Sequence, residues 1–387
     1  MEGAVWCDPA FRPVAEAFRQ VCDGRPGGAA VAVYADGRLV VDLWHGTADR
    51  DGRRAWERDT VVNVFSASKG VLATLAHLYA QRGLLDLDAP VARYWPGFAT
   101  ATTIADLLAH RSGLPAVRRT LPPGSLFDWD AMTGALAAET PWWSPGERHG
   151  YHAVTFGWLV GEVLRRVGER PVRDLVRDEL RVPGLSIGLP AAQAGRAAYL
   201  APPEAPPEAA PKEAGQGGQE GGPDAAAPAL ASAMADPGSI TMKAFCNPPE
   251  QLTPGLVNTA RWRAAEIPAA NGHATARALA TLYGRLVAGE LLHPDVLGRA
   301  VASRSEGRDE VLLAETRFAL GYMLPSEIRR FALNPRAFGH SGSGGALAFG
   351  DPDAGIALSY TPSHLITSPA GPDPRWEPLV AALYACL

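Results

Sequence analysis

The chain has 387 residues, 47% hydrophobic and 20% charged, with a formal net charge of -5. That is enough for two ordinary domains, or for one large enzyme domain carrying a subdomain, with a substantial core. The acidic balance and the lack of a long Lys/Arg cluster argue against a nucleic-acid partner, and no apolar run approaches a membrane-spanning length.

The N-terminus, MEGAVWCDPAFRPVAEAF, has neither a basic start nor an apolar signal core, so a cytoplasmic protein is expected. The first clear unit is a hairpin: Ala29 to Tyr34 and Arg38 to Trp44 are β-rich runs, and Asp36-Gly37 between them is a type I′ turn signal. Val64 to Gly83 follows, in which Gly70 to Gln81 has the apolar spacing of an amphipathic helix ending at Gly83. Thr103 and Asp106 stand at capping-box spacing, and Phe156 to Val167 and Thr275 to Leu286 read as buried helices. A second hairpin, Ala346 to Phe349 with Ile356 to Tyr360, precedes an amphipathic helix from about Pro374 to Cys386. The fold class is therefore α/β (α+β). One antiparallel sheet is built from both chain ends, 1–62 and 310–387, with a mainly helical part over 63–309 inserted in a single catalytic unit.

Residues 201–238 break this pattern. Pro, Ala, Gly, Glu and Gln dominate and aromatics are absent, so an irregular insertion is expected, either an inert surface loop or a flap beside the active site. The cysteines Cys7, Cys22, Cys246 and Cys386 are scattered and read as reduced thiols, and the nine histidines show no ligand spacing; neither a metal nor a cofactor is expected.

Three stretches carry chemistry. In Ser66-Ala67-Ser68-Lys69 the residues i and i+3 share a helix face, so a neutral Lys69 can take the proton of Ser66 as it attacks. The alternative is a capping serine beside a solvated lysine. In PWWSPGERHGYHAVTFGW, Tyr151 lies between a Pro/Gly-rich turn and a helix, and beside a lysine a phenol can act as a base. Trp142 and Trp143 either wall a pocket or belong to the core. In FGHSGSGGALAF the small residues permit a ligand to approach a strand edge, where a backbone N–H can serve as an oxyanion donor; a tight turn into the hairpin is the other reading. GHSGS also approximates the nucleophile elbow of α/β-hydrolases. It ends in Ser343 instead of glycine and leads into a strand instead of a helix, which excludes the elbow.

In this order the three stretches resemble the serine β-lactamase and penicillin-binding-protein superfamily. Ser66-Ala67-Ser68-Lys69 stands for S-x-x-K, Tyr151-His152-Ala153 for the tyrosine motif and His340-Ser341-Gly342 for K-T-G. LLAHRSGL, Leu107 to Leu114, is similar to the segment after the nucleophile helix in the class C branch. The resemblance runs from about Gly28 to the C-terminus and implies a β-lactamase/transpeptidase-like fold. It further implies that Ser66 is acylated, that Lys69 and Tyr151 share its proton, and that the backbone N–H groups of Ser66 and Ser343 form the oxyanion hole.

His340, Ser341, Gly342, Trp142, Trp143, His152 and Asn271 would line the substrate site, Asn271 within AEIPAANGHATAR, a segment similar to one in esterases of this fold. Ala153 replaces an expected Asn and His340 an expected Lys, which weakens the case for antibiotic or peptidoglycan substrates. The pattern is more similar to the family VIII esterases and related acyltransferases. A carboxylic esterase is therefore expected, with transfer to an amine or alcohol as the alternative. β-Lactamase or peptidase activity ranks third and a non-enzymatic binding domain last.

Overall fold

The computed structural model describes residues 6–203, 223–327, 329–366 and 372–387. Along the chain run the strands β1 (Trp6–Cys7), β2 (Gly28–Ala35), β3 (Arg38–Gly46), β4 (Val62–Asn63), β5 (Leu185–Ile187) and β6 (Gly272–Ala274). They are followed by β7 (Ser305–Arg308), β8 (Glu315–Phe318), β9 (Phe338–Ser341), β10 (Leu347–Asp351) and β11 (Ile356–Pro362).

Both expected hairpins form. At the β2–β3 turn Asp36 and Gly37 have φ of 48° and 73°, the paired left-handed residues of a type I′ turn. The two chain ends then share one antiparallel sheet in the order β1-β3-β2-β11-β10-β9. β11 is buried along its whole length, so both faces of the sheet are covered. On one face Ala30 and Ala32 meet Ala276 and Ala280 of the helix Ala276–Val287. Small side chains let the helix lie close, and a Cβ on Gly284 would collide with Tyr34. Val31 and Val33 point the other way by the two-residue period of a strand and are buried. The helix Arg12–Cys22 packs against β2 and β3, with the C-terminal helix Trp376–Tyr384 against it. Helix 276–287 thus belongs to the sheet layer, although its place in the chain put it in the expected helical part.

In that helical part Ser68–Gln81 packs against Thr155–Gly168, which also carries Trp129–Ala137. The expected amphipathic character of the nucleophile helix is corrected: every residue from Ser68 to Tyr79 is buried, so it is a central helix with no solvent face. The capping box at Thr103 and Asp106 is present. A small sheet, β4-β6-β5, lies at the entry to the nucleophile helix.

Of the stretch 201–238, residues 204–222 lie outside the described residues. The part beyond them departs from the irregular loop expected. Pro223–Ala235 is helical and buries Leu230, consistent with the helix propensity of its alanines. A second helix, Ile240–Cys246, follows, capped by Ser239, whose hydroxyl accepts from Met242 N at 2.9 Å. Among the described residues no helix is long and apolar enough to cross a membrane.

Candidate active site

Ser66 lies in the turn between β4 and the helix Ser68–Gln81 and is half-buried. The preceding Phe65 has φ 46°, a left-handed conformation that costs a bulky residue about 1–3 kcal/mol and persists only where its surroundings hold it. Ser68 is one such hold. Its hydroxyl donates to the Phe65 carbonyl and accepts from Gly272 N at 2.9 Å, while Val64 N donates to Gly272 O at 2.8 Å. A Cβ on Gly272 would overlap Ser68 Oγ, so this position has room only for glycine.

Lys69 is fully buried, and its Nζ lies 3.0 Å from Ser66 Oγ, 2.7 Å from Ala153 O and 3.3 Å from Ala269 O. Burial drives the ammonium well below its usual range, towards the neutral amine. A neutral lysine has two N–H groups and one lone pair. The two carbonyls take the N–H groups, and the lone pair is left for the Ser66 hydroxyl. In the neutral form Lys69 would thus turn its lone pair to Ser66.

Tyr151 is buried, its phenol lies beside the Ser66 hydroxyl, and Lys69 Nζ lies 4.7 Å from its ring centroid. Burial pushes the phenol upwards, with the Ser66 hydroxyl opposing, so the resting tyrosine holds its proton. Its ring stacks on Phe318 at 5.8 Å, and Phe245, from the helix after the Pro/Gly-rich stretch, lies 6.4 Å away. The backbone of this loop is held by buried polar groups. Asp309 Oδ1 accepts from Tyr151 N at 3.0 Å, and His110 Nδ1 accepts from His152 N at 3.1 Å. His110, at φ 60°, also packs its ring against Tyr151, His152, Phe156 and Phe318.

The third stretch ends β9. His340 is buried with Nδ1 2.7 Å from Ser341 O, its ring centroid is 6.1 Å from that of Tyr151, and burial pulls it down to about 3. It is uncharged at neutral pH. The positive charge of Arg329 reaches both His340 and Tyr151. Ser341 is half-buried, its hydroxyl 3.8 Å from Met323 Sδ. Gly342 lies against the Val64 carbonyl with no room for a Cβ, which brings this turn beside the nucleophile corner. Ser343 is exposed at the tip, and among the described residues no acceptor engages its N–H.

The structure thus brings together Ser66, Lys69, Tyr151, His340 and the 341–343 turn, and it removes two expected substrate contacts. His152 is fully buried, with Nε2 2.8 Å from Ser112 Oγ and Nδ1 2.7 Å from Gly150 O. Both ring nitrogens are used inside the protein. Asn271 is fully buried as well; its Oδ1 accepts from Ile267 N at 2.9 Å and its Nδ2 donates to Trp262 O and Ala265 O at 3.0 and 2.8 Å. It shapes the loop that presents Ala269 O to Lys69 and has no group left for substrate. The tryptophans are also drawn into scaffolding. Trp142 donates to Ala116 O at 2.9 Å under the Arg118 guanidinium, and Trp143 is buried edge-on to His152.

Sequence reading missed Asp309, Phe245 and the supporting role of His110. His110 lay within a segment already singled out. Asp309, in a charged stretch, and Phe245, after a low-complexity run, gave no local signal.

An antiparallel sheet formed by the two chain ends, with a serine and a buried lysine at the start of a central helix, defines a β-lactamase/transpeptidase-like enzyme. Residues 14–381 match the family described as Beta-lactamase, and the chain belongs to that family. It is 36% identical over 384 residues to the Esterase/beta-lactamase LipL of Mycobacterium tuberculosis, covering 93% of this chain and 82% of that protein. Among solved structures, a family VIII carboxylesterase superposes with a TM-score of 0.82 at 33% identity, covering 99% of each chain. A penicillin-binding-protein homolog from Caulobacter crescentus superposes with a TM-score of 0.83 at 36% identity, again over 99% of each.

Proposed function

We propose that the protein hydrolyses small or medium carboxylic esters through an acyl-Ser66 intermediate. The observation that carries this reading is the Lys69 environment: two carbonyls occupy its N–H groups and Ser66 Oγ lies 3.0 Å from its nitrogen. Ser66 Oγ attacks the ester carbonyl carbon as its proton passes to Lys69 Nζ. The carbonyl oxygen gains the electron pair and is met by the N–H groups of Ser66 and Ser343. Collapse expels the alkoxide, which takes the Tyr151 proton, and the proton on Lys69 restores Tyr151. Water then repeats the sequence on the acyl-enzyme, releasing the acid and regenerating Ser66.

The names of LipL and of the family VIII carboxylesterase support ester substrates. LipL is named for β-lactamase activity as well, but here the uncharged His340 stands at the position where a lysine is expected to meet a substrate carboxylate. That favours neutral esters. An amine or alcohol that enters in place of water would receive the acyl group from the same intermediate. Peptide mass spectrometry after mixing the protein with p-nitrophenyl esters tests the reading. An acyl mass on the Ser66 peptide, absent in Ser66→Ala, is expected, and added amines report transfer as amide product. Ester turnover undiminished in Ser66→Ala would end the proposal.

A further inference from the structure

The turn that carries Ser343 holds glycine at positions 342, 344 and 345, the last two at φ of 82° and 110°. Such a turn has wide conformational freedom in isolation. An oxyanion donor, by contrast, works only if it is fixed before the charge develops. The turn's own bonds, Gly342 N to Ala346 O at 2.7 Å and Gly345 N to Gly342 O at 3.1 Å, close its base and leave its tip carbonyls to be held from outside.

That hold comes from a cluster beside the C-terminal helix. Arg375 is 1% exposed. Its Nε and Nη2 donate to Asp373 Oδ1 and Oδ2 at 2.8 and 2.6 Å, its Nη1 donates to His364 O at 2.7 Å, and its Nη2 also reaches Gly344 O at 2.5 Å. Ile366 N donates to the same Gly344 carbonyl at 3.3 Å, and Trp376 Nε1 donates to Gly345 O at 2.9 Å. A Cβ on Gly345 would collide with both the Arg375 guanidinium and the Asp373 carboxylate, so the turn is seated directly against the ion pair. Burying an arginine needs every donor used, and a paired carboxylate to balance the charge. Here one surplus donor goes to the His364 carbonyl and one to the Gly344 carbonyl of the turn.

We infer that Arg375, with Asp373 and Trp376, is a positioning device for the oxyanion hole: it fixes the Gly344–Gly345 peptides and thereby the Ser343 N–H. This rests on the acyl-serine reading above. The residues touch neither substrate nor Ser66, so their loss should weaken stabilisation of the tetrahedral oxygen while leaving Lys69 and its titration alone.

The test compares Arg375→Lys, Arg375→Ala and Trp376→Phe with the native enzyme on p-nitrophenyl butyrate, together with inhibition by a phenylboronic acid, whose serine adduct places an oxygen in the oxyanion hole. Trp376→Phe removes the Nε1 donor and trims the buried indole to a phenyl, a smaller change than loss of the buried arginine, so it remains informative if an Arg375 variant does not fold. Removing an oxyanion donor outright costs roughly a hundred- to a thousandfold. Loosening one is expected to lower kcat/KM about tenfold or more in the Arg375 variants, and several-fold in Trp376→Phe. Boronate affinity should fall in parallel, with the acid limb of the pH profile unmoved. Guanidinium added to Arg375→Ala should restore part of the rate. Folded Arg375→Lys and Trp376→Phe proteins within twofold of native kcat/KM and boronate affinity would overturn the inference. A Ser66→Ala protein of native activity would instead end the acyl-serine reading, and this inference with it.

Discussion

Asp309 is fully buried, among the described residues it forms no salt bridge, and it holds the loop that delivers Tyr151. Its Oδ1 accepts from Tyr151, Val311 and Leu312 N–H at 3.0, 2.8 and 2.8 Å, and its Oδ2 from Thr316 Oγ1 at 3.3 Å. Burial outweighs these donors and pushes the carboxyl from its ordinary 3.8 up to about 6. Because the folded value is raised, the native state holds this proton more tightly than the unfolded chain. The corresponding stability is fully present below pH 4 and is lost as pH rises through 6. The interval is worth about 3 kcal/mol at roughly 1.4 kcal/mol per pH unit. Asp309→Asn keeps an oxygen for the three N–H groups and cannot ionise. It should therefore gain about 3 kcal/mol relative to the native protein between pH 4 and pH 7. Asp309→Ala leaves three buried donors unpaired, at about 1–3 kcal/mol each before any water enters, and should also lower kcat/KM by displacing Tyr151. Urea unfolding of the three proteins at pH 4, 5.5 and 7 measures this directly. Parallel stability curves for the native and Asn proteins would refute the reasoning, since they would mean that Asp309 titrates alike folded and unfolded.

The remaining predictions concern the site itself. The proposed acylation needs Lys69 neutral and burial lowers its pKa, so kcat/KM should rise with pH along an acid limb lying well below 10.5, and Lys69→Arg should lose about a thousandfold or more; a limb near 10.5 in stopped-flow profiles would contradict the proposed base. Phe245→Ala opens space beside Tyr151 and should shift the preference among p-nitrophenyl esters towards longer or bulkier acyl groups by about tenfold; an unchanged chain-length profile would place Phe245 outside the pocket. Asn271→Ala should lower Tm and reduce kcat/KM by one common factor across esters, as loss of the Ala269 loop predicts. Ester-dependent changes in KM would restore a substrate contact.

The sheet was legible because its signals are local: Asp36-Gly37 dictates one hairpin, and alternation with small residues marks β2. The placing of Ser66, Lys69 and Tyr151 was legible through motif spacing. What escaped has a common physical cause. His152 and Asn271 are polar residues beside motif positions, and sequence does not say whether a polar side chain turns to substrate or to a backbone N–H and C=O within the protein. In both cases the internal partners, Ser112 and Gly150 for one and Ile267, Trp262 and Ala265 for the other, come from loops whose apposition is set only in the fold. The helicity of 223–235 was hidden for a different reason: its composition is that of a linker, and tertiary contact at Leu230 decides for the helix.

The three stretches of the site share one mode of construction. Two of them hold left-handed residues, Phe65 before Ser66 and the glycine turn around Ser343, and the third is the irregular loop that carries Tyr151. Each is fixed by a buried polar group far away in sequence or on the opposite side of the motif. Ser68 with Gly272 fixes the first, Asp309 and His110 the second, and Arg375 with Asp373 the third. Ordinary apolar packing could not do this, because dispersion contacts hold shape without selecting the direction of a single N–H or C=O. Hydrogen bonds to buried side chains do select it, and burial keeps water from competing. The requirement for glycine at 272 and 345 follows from the same closeness, since Ser68 and Arg375 lie where a Cβ would be, while at 342 the Val64 carbonyl occupies that place. A site built in this way should tolerate changes in the apolar core more readily than the loss of one buried polar group that never meets the substrate.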